Sequence, residues 1–162
     1  MAKTRTIVIE EAPFCCSLAK EYVKKHATTP PKVPVVACEG SCLRGEIARR
    51  AANLITYNLL PENTVRICFQ GIVGGGCEEG ALIERADRVL FVEGCALKCS
   101  SRLVKGAMEI KGEVEVVVAD RLSDFNPRLF GINEMPEEEI KRYAEGVAEK
   151  VVKDIKEQRR CC

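Results

Sequence analysis

Short β-branched apolar runs alternate along this chain with longer segments whose apolar residues recur every three or four positions. That is the pattern of repeated strand-loop-helix units wound into a mainly parallel sheet. Residues 35–37, entered through Pro34, and 65–69, 89–92 and 114–119 read as strands, with 7–9 as a further strand at the start. Helices are expected over about 15–26, from Leu43 through Ile47, Ala51, Leu54 and Ile55, over 81–86, and beyond Cys99. A long loop spans 121–135, after which Pro136 suits the first turn of a C-terminal helix. In that helix Ile140, Tyr143, Val147, Val151 and Ile155 form one apolar stripe suited to core packing. The expected fold class is α/β, with three layers: a mainly parallel sheet of four to five strands and helices on both faces, Rossmann-like without a dinucleotide motif. A single domain over 1–162 is expected, with a cysteine-motif core at 35–105, the helix at 136–158 and a tail at 159–162.

Length and charge narrow the partners. At 162 residues one core is expected, and 25 Lys+Arg against 24 Asp+Glu leave a formal charge of +1 with no basic stripe interleaved with aromatics. Nucleic acid is therefore not an expected partner. The apolar stretches fall far short of the roughly 18 residues a membrane span needs, and the N-terminus has no export signal, so the reading is cytoplasmic.

Cysteine changes the picture most, because ten thiols accompany a single histidine, His26. A mechanism built on a histidine pair within one chain is excluded. In a reducing compartment clustered cysteines are metal ligands or redox groups before they are structural disulfides. The composition, 30% charged and rich in Glu, Lys and Val, also leans thermophilic, a setting in which cytosolic disulfides are tolerated.

An internal echo gives the thiols an address. Val35-Val-Ala-Cys-Glu-Gly-Ser-Cys-Leu-Arg resembles Leu90-Phe-Val-Glu-Gly-Cys-Ala-Leu-Lys-Cys-Ser-Ser-Arg: each delivers a Cys-x3-Cys from a strand to a helix start. Strand-to-helix turns of an open parallel sheet all lie along its carboxyl edge, where ligand sites form. Cys38, Cys42, Cys68, Cys77, Cys95 and Cys99 belong to such turns or to the strand ends feeding them. Helix starts favour thiolates, which metals require. Ligation by at least three of Cys38, Cys68, Cys95 and Cys99 is the sharp reading; for Cys68, between Ile67 and Phe69, a small buried hydrophobe is the bland one. Closed tetrahedral zinc, an iron-sulfur cluster and metal-free thiol chemistry all stay open, because six thiols exceed what either metal site demands.

Neighbouring residues sharpen this reading. The stretch Gly71-Ile-Val-Gly-Gly-Gly-Cys-Glu-Glu-Gly80 has no Gly-Lys-Ser/Thr ending and puts Glu78 and Glu79 where phosphates would want cations, which rejects a P-loop. Its glycines, Gly71 first, either let backbone approach a bound ion or cluster or serve as a plain connector. Arg44, Lys98 and Arg102 stand near the motif helices, either offsetting thiolate charge or simply solvated. Glu39 and Glu93 are oxygen ligands, proton acceptors or solvated loop carboxylates. Cys15-Cys16 sits near the first helix start, Cys161-Cys162 ends the chain as a frayed tail or a mobile thiol arm, and His26 reads as a surface residue.

Three segments, in order and spacing, resemble the DGC-domain family, whose members are read as zinc-binding proteins. They are Cys38-Glu-Gly-Ser-Cys-Leu-Arg-Gly-Glu, Cys68-Phe-Gln-Gly-Ile-Val-Gly-Gly and Ala86-Asp-Arg-Val-Leu-Phe-Val-Glu-Gly-Cys-Ala-Leu-Lys-Cys99, so the likeness covers about residues 35–105. The resemblance implies functional roles for Cys38, Gly40, Cys68, Gly94, Cys95 and Cys99. Departures are Glu93 in place of the family's Asp, Ala96 in place of Pro, and the additional Cys42 and Cys77. The resemblance implies zinc as the cofactor; an iron-sulfur cluster in electron or sulfur transfer and a metal-free thiol redox enzyme or persulfide carrier are the rivals. An interaction module with a structural metal is a further one, and a metal ion, a homodimer and a redox partner protein are the expected partners.

Overall fold

The computed structural model describes residues 3–10, 12–75 and 78–160. Strands β1 (Val33–Ala37), β2 (Thr64–Ile67), β3 (Arg88–Glu93) and β4 (Glu113–Val118) pair in parallel in the order β2-β1-β3-β4. Val35 stands opposite Arg66 on one side and Leu90 on the other, and Leu90 in turn stands opposite Glu115. The inner strands are apolar without alternation because both of their faces are covered. Val35, Ala37, Leu90 and Val92 enter one core layer, and Val36, Val89 and Phe91 enter the other.

Helices close both faces, as expected for a three-layer α/β fold. On the first face α2 (Leu43–Leu54) packs with the C-terminal helix α6 (Glu137–Arg160), whose Ile140, Val147, Val151 and Ile155 are buried as the stripe foretold. On the second lie α1 (Ser17–His26), α4 (Gly80–Glu84) and α5 (Cys99–Ala107), contributing among others Tyr22, Leu82, Ile83 and Val104. Among the described residues no helix is long and apolar enough to cross a membrane.

Some expectations need correction. Residues 7–9 form no strand, and Ile7, Val8 and Ile9 are exposed. The strand expected over 65–69 ends at Ile67, and a short helix α3 (Phe69–Val73) begins at once, so Gly71 lies inside a helix and not in a turn. Local spacing could not separate these cases, since Ile-Cys-Phe continues the apolar run while the backbone has already turned. His26 is half-buried against the Tyr22 ring at 4.4 Å, with its Nδ1 enclosed and unpartnered among the described residues. Burial, then Lys32 and Lys25, hold its pKa below the usual histidine value.

One polar network ties the first face together. Glu46, 8% exposed on α2, accepts from Arg49 Nε and Nη2 at 2.8 and 2.7 Å and from Arg50 Nε at 2.6 Å; Arg50 continues to Glu137 at the start of α6. The Arg49 hydrogen bonds, helped by Arg50 and opposed by burial, hold the Glu46 carboxyl below its ordinary value of 4.5. A carboxylate with a depressed folded-state pKa contributes stability above the ordinary value and loses it as pH falls through the lowered one. Glu46→Gln is therefore expected to cost about 1–2 kcal/mol at neutral pH. Urea unfolding of both proteins across the acid range should show that difference shrinking below pH 4.5 and vanishing once wild-type Glu46 is protonated.

Candidate thiolate site

The strand order reverses direction between β1 and β3: from β1 the chain crosses by α2 to β2, then returns past β1 to β3. At such a point the two departing loops separate and leave a crevice at the carboxyl edge. Cys38 leaves β1 there, and Gly94-Cys95 leave β3 beside it, tied by Cys38 N–H to Val92 O at 2.9 Å.

Glycine lets these turns press backbone on backbone. A Cβ on Gly94 would lie 2.8 Å from Arg44 C and Gly45 N, and one on Gly45 would lie 2.7 Å from Gly40 O. In that packing the amides of Gly40 and Gly94 face Cys38 Sγ and favour its ionised form. Burial pushes the Cys38 thiol up; those two amides oppose it, while Glu93 and Cys42 add to it. A Cβ placed on Gly40 would have Cys38 Sγ at 3.4 Å and Cys42 Sγ at 3.8 Å, so the two sulfurs flank one glycine. Gly40 and Gly94, which the sequence singles out, stand in this packing; Gly45, which it does not single out, is as tightly placed as Gly94. Its only sequence signal is a glycine at a helix start.

The other thiols are arrayed along the same edge. Cys68 is the N-cap of α3, exposed, its thiol 3.6 Å from Gln70 Oε1, beside a cleft of about 490 Å³ walled by Tyr22, Asn53, Tyr57 and Arg66. That exposure sets aside the buried-hydrophobe reading. Cys95 is half-buried after β3, and Cys99 opens α5, exposed. Cys16 and Cys42 are N-caps of α1 and α2, and neither they nor Cys68 spend the side chain on capping. Cys77, Cys161 and Cys162 lie outside the described residues. Among the described residues no three His, Cys, Asp or Glu side chains stand grouped as a bound ion requires.

Of the charged neighbours, Glu93, Glu39, Arg44 and Glu79 are committed to structure. Glu93 is 1% exposed and its carboxylate accepts from Ser101 N–H at 2.6 Å and Ser100 N–H at 3.4 Å. It caps α5, whose N-cap Lys98 is left-handed at φ 52° and supplies no side-chain cap. A solvated carboxylate is thus the wrong description. Glu39 pairs with Arg66, which also donates to Asn53 Oδ1 at 3.0 Å. Arg44 is likewise not solvated: it reaches Asp120 at 3.2 Å and Leu129 O at 2.9 Å, and lies over the Phe125 ring at 5.5 Å. It thereby pins the 121–135 loop against the Cys42 turn, where Leu43 N–H donates to Phe130 O at 2.7 Å. Glu79 accepts from Cys68 N–H, and burial raises its pKa.

These features define a doubly wound parallel α/β protein with a thiol-bearing carboxyl edge and an amide-cradled cysteine at its switch point. The chain belongs to the DGC-domain family, whose domain matches residues 34–147. No curated protein and no solved structure matches it.

Proposed function

We propose that this edge binds a thiophilic metal ion, zinc, through Cys38, with Cys42 across Gly40 and Cys95 and Cys99 from the neighbouring turn as partners. Cys68 and Cys77 are the further candidates. The observation that carries the reading is Cys38, half-buried at the carboxyl end of β1 where the strand order reverses, with the Cys42 sulfur across Gly40 from its own and the Gly40 and Gly94 amides beside it. Amide donors to sulfur are the outer shell that orients a thiolate ligand and disperses its charge. The donor set suits a soft ion in kind, being sulfur with no histidine nearby. In number it needs the two Cys-x3-Cys turns to draw together on loading, because no three ligand-type side chains are grouped among the described residues.

The second reading is metal-free thiol exchange, favoured by the flanking of Gly40 by Cys38 and Cys42. Here the Cys42 thiolate at the start of α2 attacks a substrate disulfide and releases one thiolate; Cys38 then attacks the Cys42 sulfur of the mixed disulfide and releases the second, leaving a Cys38–Cys42 disulfide.

Elemental analysis with a visible spectrum, on protein purified without oxygen or chelator, separates the readings. The expected result is about one zinc per chain and no visible band. Cys38→Ser and Cys95→Ser should strip most of the zinc, while Cys162→Ser retains it; equal retention in all three overturns the assignment. Iron with sulfide and a band near about 400 nm would instead install the cluster. No metal, together with one hyper-reactive cysteine, would install thiol exchange.

A further inference from the structure

Residues 3–10 are left out of the sheet. They enter no helix or strand and make no backbone hydrogen bond to any other described residue. Ile7, Val8 and Ile9 are 57%, 94% and 44% exposed. A β-branched segment with bare amides and bare apolar side chains is suited to joining a sheet edge.

The β4 edge suits it. β4 pairs with β3 alone. Glu113 N–H donates to Asp87 O on the β3 side at 2.8 Å, so alternation turns the backbone groups of Val114, Val116 and Val118 outward. At the opposite edge the Arg66 carbonyl of β2 already accepts the Tyr22 hydroxyl at 3.0 Å. Sequence sets the direction. Lys3-Thr-Arg-Thr-Ile-Val-Ile9 laid parallel to Glu113-Val-Glu-Val-Val-Val118 puts Lys3 opposite Glu113, Arg5 opposite Glu115, which also accepts from Arg88, and Ile7 opposite Val117. The antiparallel arrangement would place Ile7 and Ile9 against the glutamates instead. Opposite charges across adjacent strands attract and like charges repel.

We propose that residues 3–9 of one copy add as a parallel fifth strand to the outer edge of β4 in a second copy of this chain. The chain's own β4 is the wrong acceptor. The β2-to-β3 crossover steps toward β4 on the face of α4, where α1 also packs. A right-handed crossover through α1 into β1 must step the same way, so a strand preceding α1 in its own sheet would lie beyond β2. In a second copy no such restriction applies. In this register the amides of Arg5, Ile7 and Ile9 donate to carbonyls of β4, whereas the amide of Val8 points away. The proposal is independent of whether the thiol edge holds a metal.

Light scattering on the full chain tests it. Wild type is expected at about twice the 17.9 kDa chain mass. Ile7→Pro removes a ladder donor and should weaken association at least about tenfold, with Val8→Pro weakening it clearly less. Neither change touches a contact of the folded core, so the melting temperature of the isolated chain should stay put. Lys3→Glu should weaken association by about three- to tenfold, and Lys3→Glu with Glu113→Lys should restore it. A monomeric wild type, a dimer indifferent to Ile7→Pro, or no restoration in the charge-swapped pair overturns the proposal.

Discussion

Gly94→Ala is expected to destabilise the fold by about 3 kcal/mol, the upper end of what overpacking costs. For a chain of this length that lowers the melting temperature by roughly 6–12 °C. The reason is the neighbour a methyl would meet: Arg44 C and Gly45 N at 2.8 Å and Arg44 O at 2.9 Å, all main-chain atoms of the α2 start. A flexible side chain could swing away; helical backbone clamped by Arg44 to Asp120 and Leu129 cannot. Separating the two turns also withdraws the Gly94 amide from Cys38, so calorimetry and thiol reactivity of Cys38 should change together. Gly146→Ala supplies the contrast. It lies inside α6 with nothing within 4 Å of the added carbon, and should gain about 0.5–1 kcal/mol. If Gly94→Ala melts within a degree of wild type, the backbone-to-backbone packing of the β1 and β3 turns is wrong.

Glu93→Ala is expected to cost about 2–4 kcal/mol, because the buried amides of Ser100 and Ser101 lose their only side-chain acceptor. The loss should begin locally. Hydrogen exchange at Ser100 and Ser101 should accelerate before that of the strands, and Cys99, at the first position of α5, should react faster with thiol reagents. Glu93→Gln keeps one accepting oxygen and should lose about half as much. Glu93→Asp, which restores the family's residue, should fall between wild type and alanine, since the carboxylate is kept but its reach is shorter. Unchanged exchange at Ser100 and Ser101 in Glu93→Ala would remove Glu93 from its capping role.

The two turns that resemble each other in sequence are built differently. In the first, Cys42 occupies the N-cap of α2 and the chain is held by the Leu43 bond to Phe130 O; in the second, a left-handed Lys98 precedes α5 and Glu93 reaches forward to cap it. Spacing alone shows a repeated Cys-x3-Cys. It carries no sign that one carboxylate is folded inward, because Glu39 and Glu93 both precede a glycine beside a motif cysteine and look like loop residues.

What the sequence determined by itself follows from periodicity and from where loops must run. Short β-branched apolar runs marked β1 and β3 as strands of a mainly parallel sheet, helical spacing placed α2 and the α6 stripe, and the strand-then-cysteine order put the described thiols of those turns on one edge, while the order of the strands came from the fold. Tertiary structure alone decided the rest, because it turns on contacts between distant segments. Residues 7–9 have strand-forming side chains but no partner in their own sheet, Gly45 matters through the Gly40 and Gly94 backbones pressed against it, and Arg44 acts through a loop that follows the last strand. Local preference says what a segment can become; the long-range backbone and charge contacts choose which cysteine receives two amides and which acid is buried.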